Sequence, residues 1–257
     1  MMKIAALQMH AVAGDRTANL FRIEKAVREA AENGAGLLIA SELAVTGYGA
    51  GDKISELAEP ADGDLSERLA ALSRETGVAL VVGFAERDGQ TIFNSAMYAD
   101  GQRSIVYRKS HLYGPYERAL FSPEKPAACI VEHRGMKLGM LICYDVEFPE
   151  NVRCLAQAGA QAVIVPTALP ASDHAEFIAR KLVPVRAFEN QVFVAYVNHC
   201  GNDALFSYAG LSGIAAPDGT MLAEAPETGE ALLFANLDPT AYAASAAANS
   251  YLRDLRA

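Results

Sequence analysis

Cysteine is sparse in this 257-residue chain, and none of it is paired in sequence. Cys129, Cys143, Cys154 and Cys200 form no CxxC, and no Cys/His spacing matches a zinc site. A chain of this size does not need a disulfide framework, so free thiols in a reducing compartment are expected. Basic runs are missing too. The formal net charge is −9 and no Lys/Arg patch or basic helix is visible, which argues against nucleic acid and anionic membrane as partners. No apolar stretch approaches the ~20 residues of a membrane span. The opening MMKIAALQMH alternates apolar and polar residues, as a first strand does and a signal peptide does not. A cytoplasmic protein is therefore expected. GxSxG, GxGxxG and P-loop motifs are absent, so the usual marks of serine hydrolases and nucleotide binding are lacking. No Pro-, Gly- or Ser-rich linker divides residues 1–257, and one domain is expected.

What is present is a regular alternation of apolar runs and amphipathic segments. Residues 3–9 predict a strand and 18–32 a helix, with Leu20, Ile23, Val27 and Ala30 on one face. GLLIASEL predicts a buried strand running into Glu42, followed by a Gly-rich loop. A helix over 64–76, a strand over 79–86 and a hairpin of 91–98 with 104–112 come next. Residues 113–127 read as a loop rich in Gly, Pro and Tyr, and 128–133 with 136–142 as a second hairpin. The second half predicts a helix over 147–158, a strand over 162–168, a helix over 171–189 bent by Pro184, and a strand over 191–199. Short strands around 205–209, 211–216 and 230–236 follow, then an alanine-rich helix or arm over 239–257. Two similar halves of this kind predict an α/β protein with two sheets face to face and helices outside.

Chemistry concentrates where polar residues end apolar runs, because isolated charge there is costly and usually paired or functional. In GMLICYDVEFPE (residues 139–150) an apolar run ends at Cys143 and a helix opens at once. A thiol on such a turn is either an inert core cysteine or a nucleophile, with a helix N-terminus able to favour a thiolate and hold an oxyanion. A nucleophile needs a base, an oxyanion donor and an orienting group. Glu42 reads either as an exposed strand-end carboxylate or as a general base. Lys109 reads either as an edge-strand lysine or as a fixed cation facing an oxyanion, and Glu117 either as solvated or as its partner. His111, which the predicted strand places on the same face as Lys109, and His199, beside Asn198, offer a Cys–His alternative that nothing local selects.

Taken together, these segments resemble the nitrilase superfamily of carbon–nitrogen hydrolases. The resemblance is carried by S-E-L-x-x-x-G-Y from Ser41, K-x-H-L-Y-x-x-x-E-x-x-x-F from Lys109, and C-Y-D-x-E-F-P-E from Cys143. Downstream segments from Pro166 (P-T-A), Arg186 (R-A-x-E-N-Q) and Asn198 (N-H-C-G), and the closing Y-L-R-D-L-R, extend it over nearly the whole chain. The resemblance implies a four-layer α-β-β-α sandwich of two mixed sheets. It also implies a Glu–Lys–Cys triad at Glu42, Lys109 and Cys143, with Glu117 as a fourth, orienting residue, and leaves His111 structural. Even-numbered homo-oligomers, most simply a homodimer, are implied as well, built through helices near the nucleophile and the segment at about 239–257. No metal or organic cofactor is implied.

Within the superfamily, the loop GPYERALF and CYDVEFPE look most like small amidases. True nitrilases are usually longer and more typically carry Trp after the nucleophile; here that residue is Tyr144, and the chain has no Trp. The expected reaction is hydrolysis of a small primary carboxamide to acid and ammonia. The alternatives are an N-carbamoyl amine or amino-acid hydrolase, a nitrilase, acyl transfer to another amine, and a catalytically silent scaffold subunit. Tyr48, Tyr113, Tyr116, Tyr144 and Phe148 are candidates for an aromatic, mostly neutral pocket, completed by Thr167 and Ala168. Arg118 and Arg180 are the candidates to meet a substrate carboxylate.

Overall fold

A computed structural model describes residues 1–256; Ala257, the last residue of the expected C-terminal arm, lies outside the described residues. The strands in chain order are β1 (Met2–Gln8), β2 (Leu37–Ile39), β3 (Ala79–Asp88), β4 (Thr91–Ala99), β5 (Ser104–Arg108) and β6 (Ile130–His133). They continue as β7 (Met136–Met140), β8 (Ala162–Pro166), β9 (Phe193–Val197), β10 (Gly213–Ala215), β11 (Met221–Glu224) and β12 (Ala231–Leu237). The helices are α1 (Arg16–Glu32), α2 (Lys53–Leu57), α3 (Asp64–Thr76), α4 (Gly114–Leu120), α5 (Pro149–Gln157), α6 (Ala175–Phe177), α7 (Val183–Asn190), α8 (Ala243–Ala248) and α9 (Tyr251–Asp254).

The strands form two six-stranded sheets, ordered β12-β1-β2-β3-β4-β5 and β11-β10-β9-β8-β7-β6. Each has three parallel strands at its centre, β1-β2-β3 in one and β7-β8-β9 in the other, flanked by antiparallel strands. Both sheets are thus mixed, and the halves match in topology without matching in sequence.

The layering follows from strands apolar on both faces. In β1, Ile4 and Ala6 join Leu37, Ile39 and Val81 in the core between the sheets. Their neighbours Ala5 and Leu7 point the other way, with Leu38, Leu80 and Val82, onto Leu20, Ile23 and Val27 of α1 and Leu65, Leu69 and Leu72 of α3. On the second sheet, Val152 and Leu155 of α5 and Val183 and Ala187 of α7 pack as part of the main core. The result is the α-β-β-α sandwich.

Local departures from the sequence reading have local causes. The strand expected to run into Glu42 ends at Ile39, and the chain turns at Leu43, whose φ is 48°. β5 stops at Arg108, so Lys109 and His111 follow the strand and do not share one of its faces. The expected loop 113–127 contains α4, whose first turn accepts Pro115 because no N–H is needed there. The expected helix over 171–189 is three pieces. Ala171 N–H is instead bonded to Ser207 O at 2.8 Å, and α6 begins only at Ala175. A π-helical turn, Ile178–Leu182, then precedes α7, where Pro184 sits in the first turn. Pro184 has no N–H for the carbonyl four residues back, and the widened turn accommodates its ring.

Candidate active site

Cys143 follows β7 and opens a 3-10 segment, Cys143–Glu147, which leads into α5. The turn is therefore tighter than the strand-to-α-helix corner expected. Its φ of 44° is rare for a residue with a side chain, and such strain persists only where surroundings over-determine the backbone. Asp145, fully buried, supplies much of that constraint. It accepts from Ile142 N at 3.2 Å, Tyr107 Oη at 2.9 Å, Ser110 Oγ at 2.8 Å and His111 N at 2.8 Å. Arg186 completes the hold, donating from Nε to Val146 O at 3.0 Å and from Nη2 to Glu147 O at 2.7 Å. His111 belongs to this scaffold: its ring stacks on Phe148 at 3.9 Å and its Nδ1 lies 3.0 Å from Asp145.

Glu42 is held from the opposite sheet. Its backbone N–H donates to Thr167 O at 3.3 Å, and His199 Nε2 lies 2.6 Å from its backbone oxygen. Gly83 on β3 makes room. A Cβ there would lie 2.4 Å from Leu43 N and from Ser41 O, backbone atoms that cannot step aside. The Glu42 carboxylate accepts through Oε1 from Asn94 Nδ2 at 2.7 Å and from Lys109 Nζ at 2.6 Å. Its Oε2 is buried, without a hydrogen-bond partner among the described residues.

Lys109 joins two carboxylates. Besides Glu42, its Nζ donates to Glu117 Oε1 at 2.7 Å. Glu117 rises from α4 and also accepts from Tyr48 Oη at 2.9 Å and Tyr113 N at 2.9 Å. Glu42, Lys109 and Glu117 are 0%, 1% and 1% exposed, so their mutual attraction acts with little screening by solvent. Burial pulls the Lys109 ammonium down, but Glu42 and then Glu117 outweigh it and hold it above the ordinary lysine range. Burial pushes the Glu117 carboxyl up, against the opposing pull of Lys109.

Cys143 shares this electrostatic environment. Burial, followed by the Glu42 charge, drives its thiol above the ordinary cysteine range, while Lys109 and the Ala168 backbone N–H work the other way. The surroundings thus favour a protonated thiol over the thiolate that a helix N-terminus is able to favour. Five residues of 3-10 turn offset neither the burial nor the like charge.

The thiol opens onto a cavity of about 470 Å³, lined by Cys143, Tyr113, Tyr144, Glu147, Leu169 and Ile178 among others. Of the expected pocket residues, Tyr113 and Tyr144 line it, and Ala168 meets Cys143 through its N–H. The others sit elsewhere. Tyr48 is buried behind Glu117, and Tyr116 donates to Tyr48 O at 2.7 Å. Thr167 presents its backbone oxygen to Glu42 and turns its hydroxyl to Val165 O. Phe148 and Arg118 line a neighbouring cavity that shares Tyr144. Arg180 is spent on Leu211 O, Ala225 O and Glu224, away from the cavity. Beside these aromatic residues the lining carries one carboxylate, Glu147, that the expected, mostly neutral pocket did not include. Sequence reasoning also passed over Asn94, Asp145, Arg186 and His199 as site supports; Asp145, Arg186 and His199 lie inside motifs already singled out. Among the described residues no group of three or more His, Cys, Asp or Glu is placed to hold a metal ion.

The fold agrees with comparison to known proteins. The sequence profile of the carbon-nitrogen hydrolases matches residues 3–246. A protein of Pseudomonas protegens described as "Hydrolase in pqqF 5'region" is 42% identical, the match covering 99% of this chain and 89% of that protein. An (R)-stereoselective amidase of a Pseudomonas species is 37% identical over 87% of this chain and 81% of its own length. An amidase from Nesterenkonia sp. AN1, solved in a mutant form with acrylamide added to its active-site cysteine, superposes with a TM-score of 0.88 at 34% identity, covering 100% of this chain and 97% of that one. The chain belongs to the carbon-nitrogen hydrolase family, within the nitrilase superfamily. It is a hydrolase acting on carbon–nitrogen bonds.

Proposed function

We propose that the chain is an amidase that hydrolyses a small primary carboxamide to carboxylic acid and ammonia through a thioester on Cys143. The observation that carries this reading is Lys109 Nζ fixed between Glu42 at 2.6 Å and Glu117 at 2.7 Å, all buried, in the electrostatic neighbourhood of Cys143. Glu42 takes the Cys143 proton as the sulfur attacks the amide carbon. The oxyanion is met by Lys109 and the Tyr144 backbone N–H, charges and dipoles already in place before the reaction. Glu42 returns the proton to the departing ammonia, leaving the thioester. It then activates water, and attack on the thioester releases the acid and restores the thiol. Glu117 and Tyr48 keep Lys109 aimed. A neutral resting thiol suits this scheme, because the base acts only when an electrophile is bound.

The reading is tested by ammonia release from a panel of primary amides, N-carbamoyl amines and nitriles. Release from the amides, abolished in Cys143→Ala, is expected. Release confined to the carbamoyl compounds or nitriles would contradict it. The assembly proposed with this function is an even-numbered homo-oligomer through α5, α7 and the C-terminal segment. Exposed Val185, Tyr251 and Leu255 support it, with Tyr251 already packed edge-on against Phe188 of α7 at 5.8 Å.

A further inference from the structure

We propose that Glu147 makes the cavity selective for amides whose acyl part carries a protonated amine, and selective against those carrying a carboxylate. This rests on the amidase reading above and names the substrate class of the same site.

Glu147 is half-buried and lines the cavity with Cys143. Among the described residues its carboxylate has no hydrogen bond and no ion pair; only its backbone oxygen is engaged, by Arg186 Nη2 at 2.7 Å. The nearby cations are committed elsewhere. Arg186 is used on Val146 O, Glu147 O and the Glu189 carboxylate at 2.9 Å. Lys109 is used on Glu42 and Glu117. The remaining titratable lining group outside the catalytic set and the tyrosines is His174, at the exposed side of the cavity. The wall therefore offers a polar group short of partners and no free guanidinium or ammonium.

A carboxylate removed from part of its water and given no donor in return is costly, and a charged donor offsets that cost best. Burial pushes the Glu147 carboxyl above its ordinary range, against the weaker opposing pull of Lys109 and Arg186, neither of which donates a hydrogen bond to it. An ammonium group on the substrate fills that role, whereas a carboxylate there would add like charge to Glu147, Glu42 and Glu117 against the single buried Lys109. Geometry sets the reach. Glu147 is the last residue of the short 3-10 segment that Cys143 opens, and both side chains line the same cavity. A short ω-amino acyl chain with its carbonyl at the sulfur therefore extends along the wall that carries Glu147.

The test compares kcat/KM for three amides: 3-aminopropanamide, its neutral isostere butyramide, and succinamate, which carries a carboxylate. The wild-type enzyme is expected to favour 3-aminopropanamide over butyramide by about 10-fold or more, the range of a hydrogen bond to a charged group, and to favour succinamate least. Glu147→Gln is expected to bring the ammonium-to-neutral ratio close to one. A wild-type preference for butyramide, or a ratio unchanged in Glu147→Gln, overturns the assignment while leaving the amidase reading intact. Absence of ammonia from all three overturns the amidase reading instead. Calorimetric binding of the same amides to Cys143→Ala then decides the charge preference alone: tighter binding of 3-aminopropanamide upholds it, and equal or weaker binding overturns it.

Discussion

His199 Nε2 lies 2.6 Å from the backbone oxygen of Glu42, joining the segment that follows β9 in one sheet to the segment that follows β2 in the other. With Glu42 N–H bonded to Thr167 O, both polar backbone groups of the proposed base are satisfied from the opposite sheet. The position of Glu42 is thus a property of how the sheets pack. Burial pulls His199 below the ordinary histidine range, so a neutral ring donates this bond.

Replacing His199 should loosen the base. His199→Leu leaves a buried carbonyl without a donor, a loss of about 1–3 kcal/mol. It should lower both the unfolding temperature and kcat. His199→Gln can place an amide N–H near the position of Nε2 and should recover part of both. A His199→Leu enzyme that loses stability but keeps its kcat would show that the bond supports the fold without positioning Glu42.

Gly83 is predicted to be equally intolerant, for a steric reason. The Cβ of Gly83→Ala would meet Ser41 and Leu43 backbone at 2.4 Å, so the Glu42 segment or β3 must shift. Overpacking of this kind costs about 1–3 kcal/mol. Denaturant unfolding and kcat/KM should both decline, and normal values would mean that the Glu42 segment is not held against β3.

Protonation of Cys143 gives a prediction with a definite sign. Burial and Glu42 raise its thiol above the ordinary range, so the protonated form is favoured in the folded enzyme. The ultraviolet thiolate absorbance lost in Cys143→Ala should therefore be negligible at neutral pH and should emerge only in alkali. Glu42→Gln removes one of the charges that oppose the thiolate and should move its onset to lower pH. A full thiolate signal at neutral pH in the wild-type enzyme would contradict the base role given to Glu42.

The sequence was most informative where a single period dominates. The helix over 64–76 and the apolar strand pairs were legible because burial of one face imposes spacing that local residues report. Cys143, Glu42, Lys109 and Glu117 stood out through motifs whose residues lie on the segments that follow β7, β2 and β5 and on α4. Asp145 and Arg186 were missed as supports because their partners lie far away in sequence, such as the Tyr107 hydroxyl that donates to Asp145 and the Val146 backbone oxygen that accepts from Arg186. The pocket wall was misread for the same reason. Tyr48 and Phe148 have the composition of a lining, but only tertiary packing decides that Tyr48 backs Glu117, that Phe148 stacks on His111, and that Glu147 faces the cavity. The break at α6 and α7 depends on strand pairing at Ala171 as well as on Pro184, and only the proline is visible in sequence.

The central claim is a covalent acyl intermediate on Cys143. Its most direct test is rapid acid quenching of the enzyme with a slowly turned-over primary amide, followed by peptide mass spectrometry. The account predicts the acyl mass on the peptide containing Cys143, released on longer incubation and absent in Cys143→Ala. An acyl mass on Cys129, Cys154 or Cys200 in place of Cys143, or undiminished ammonia release by Cys143→Ala, would contradict it.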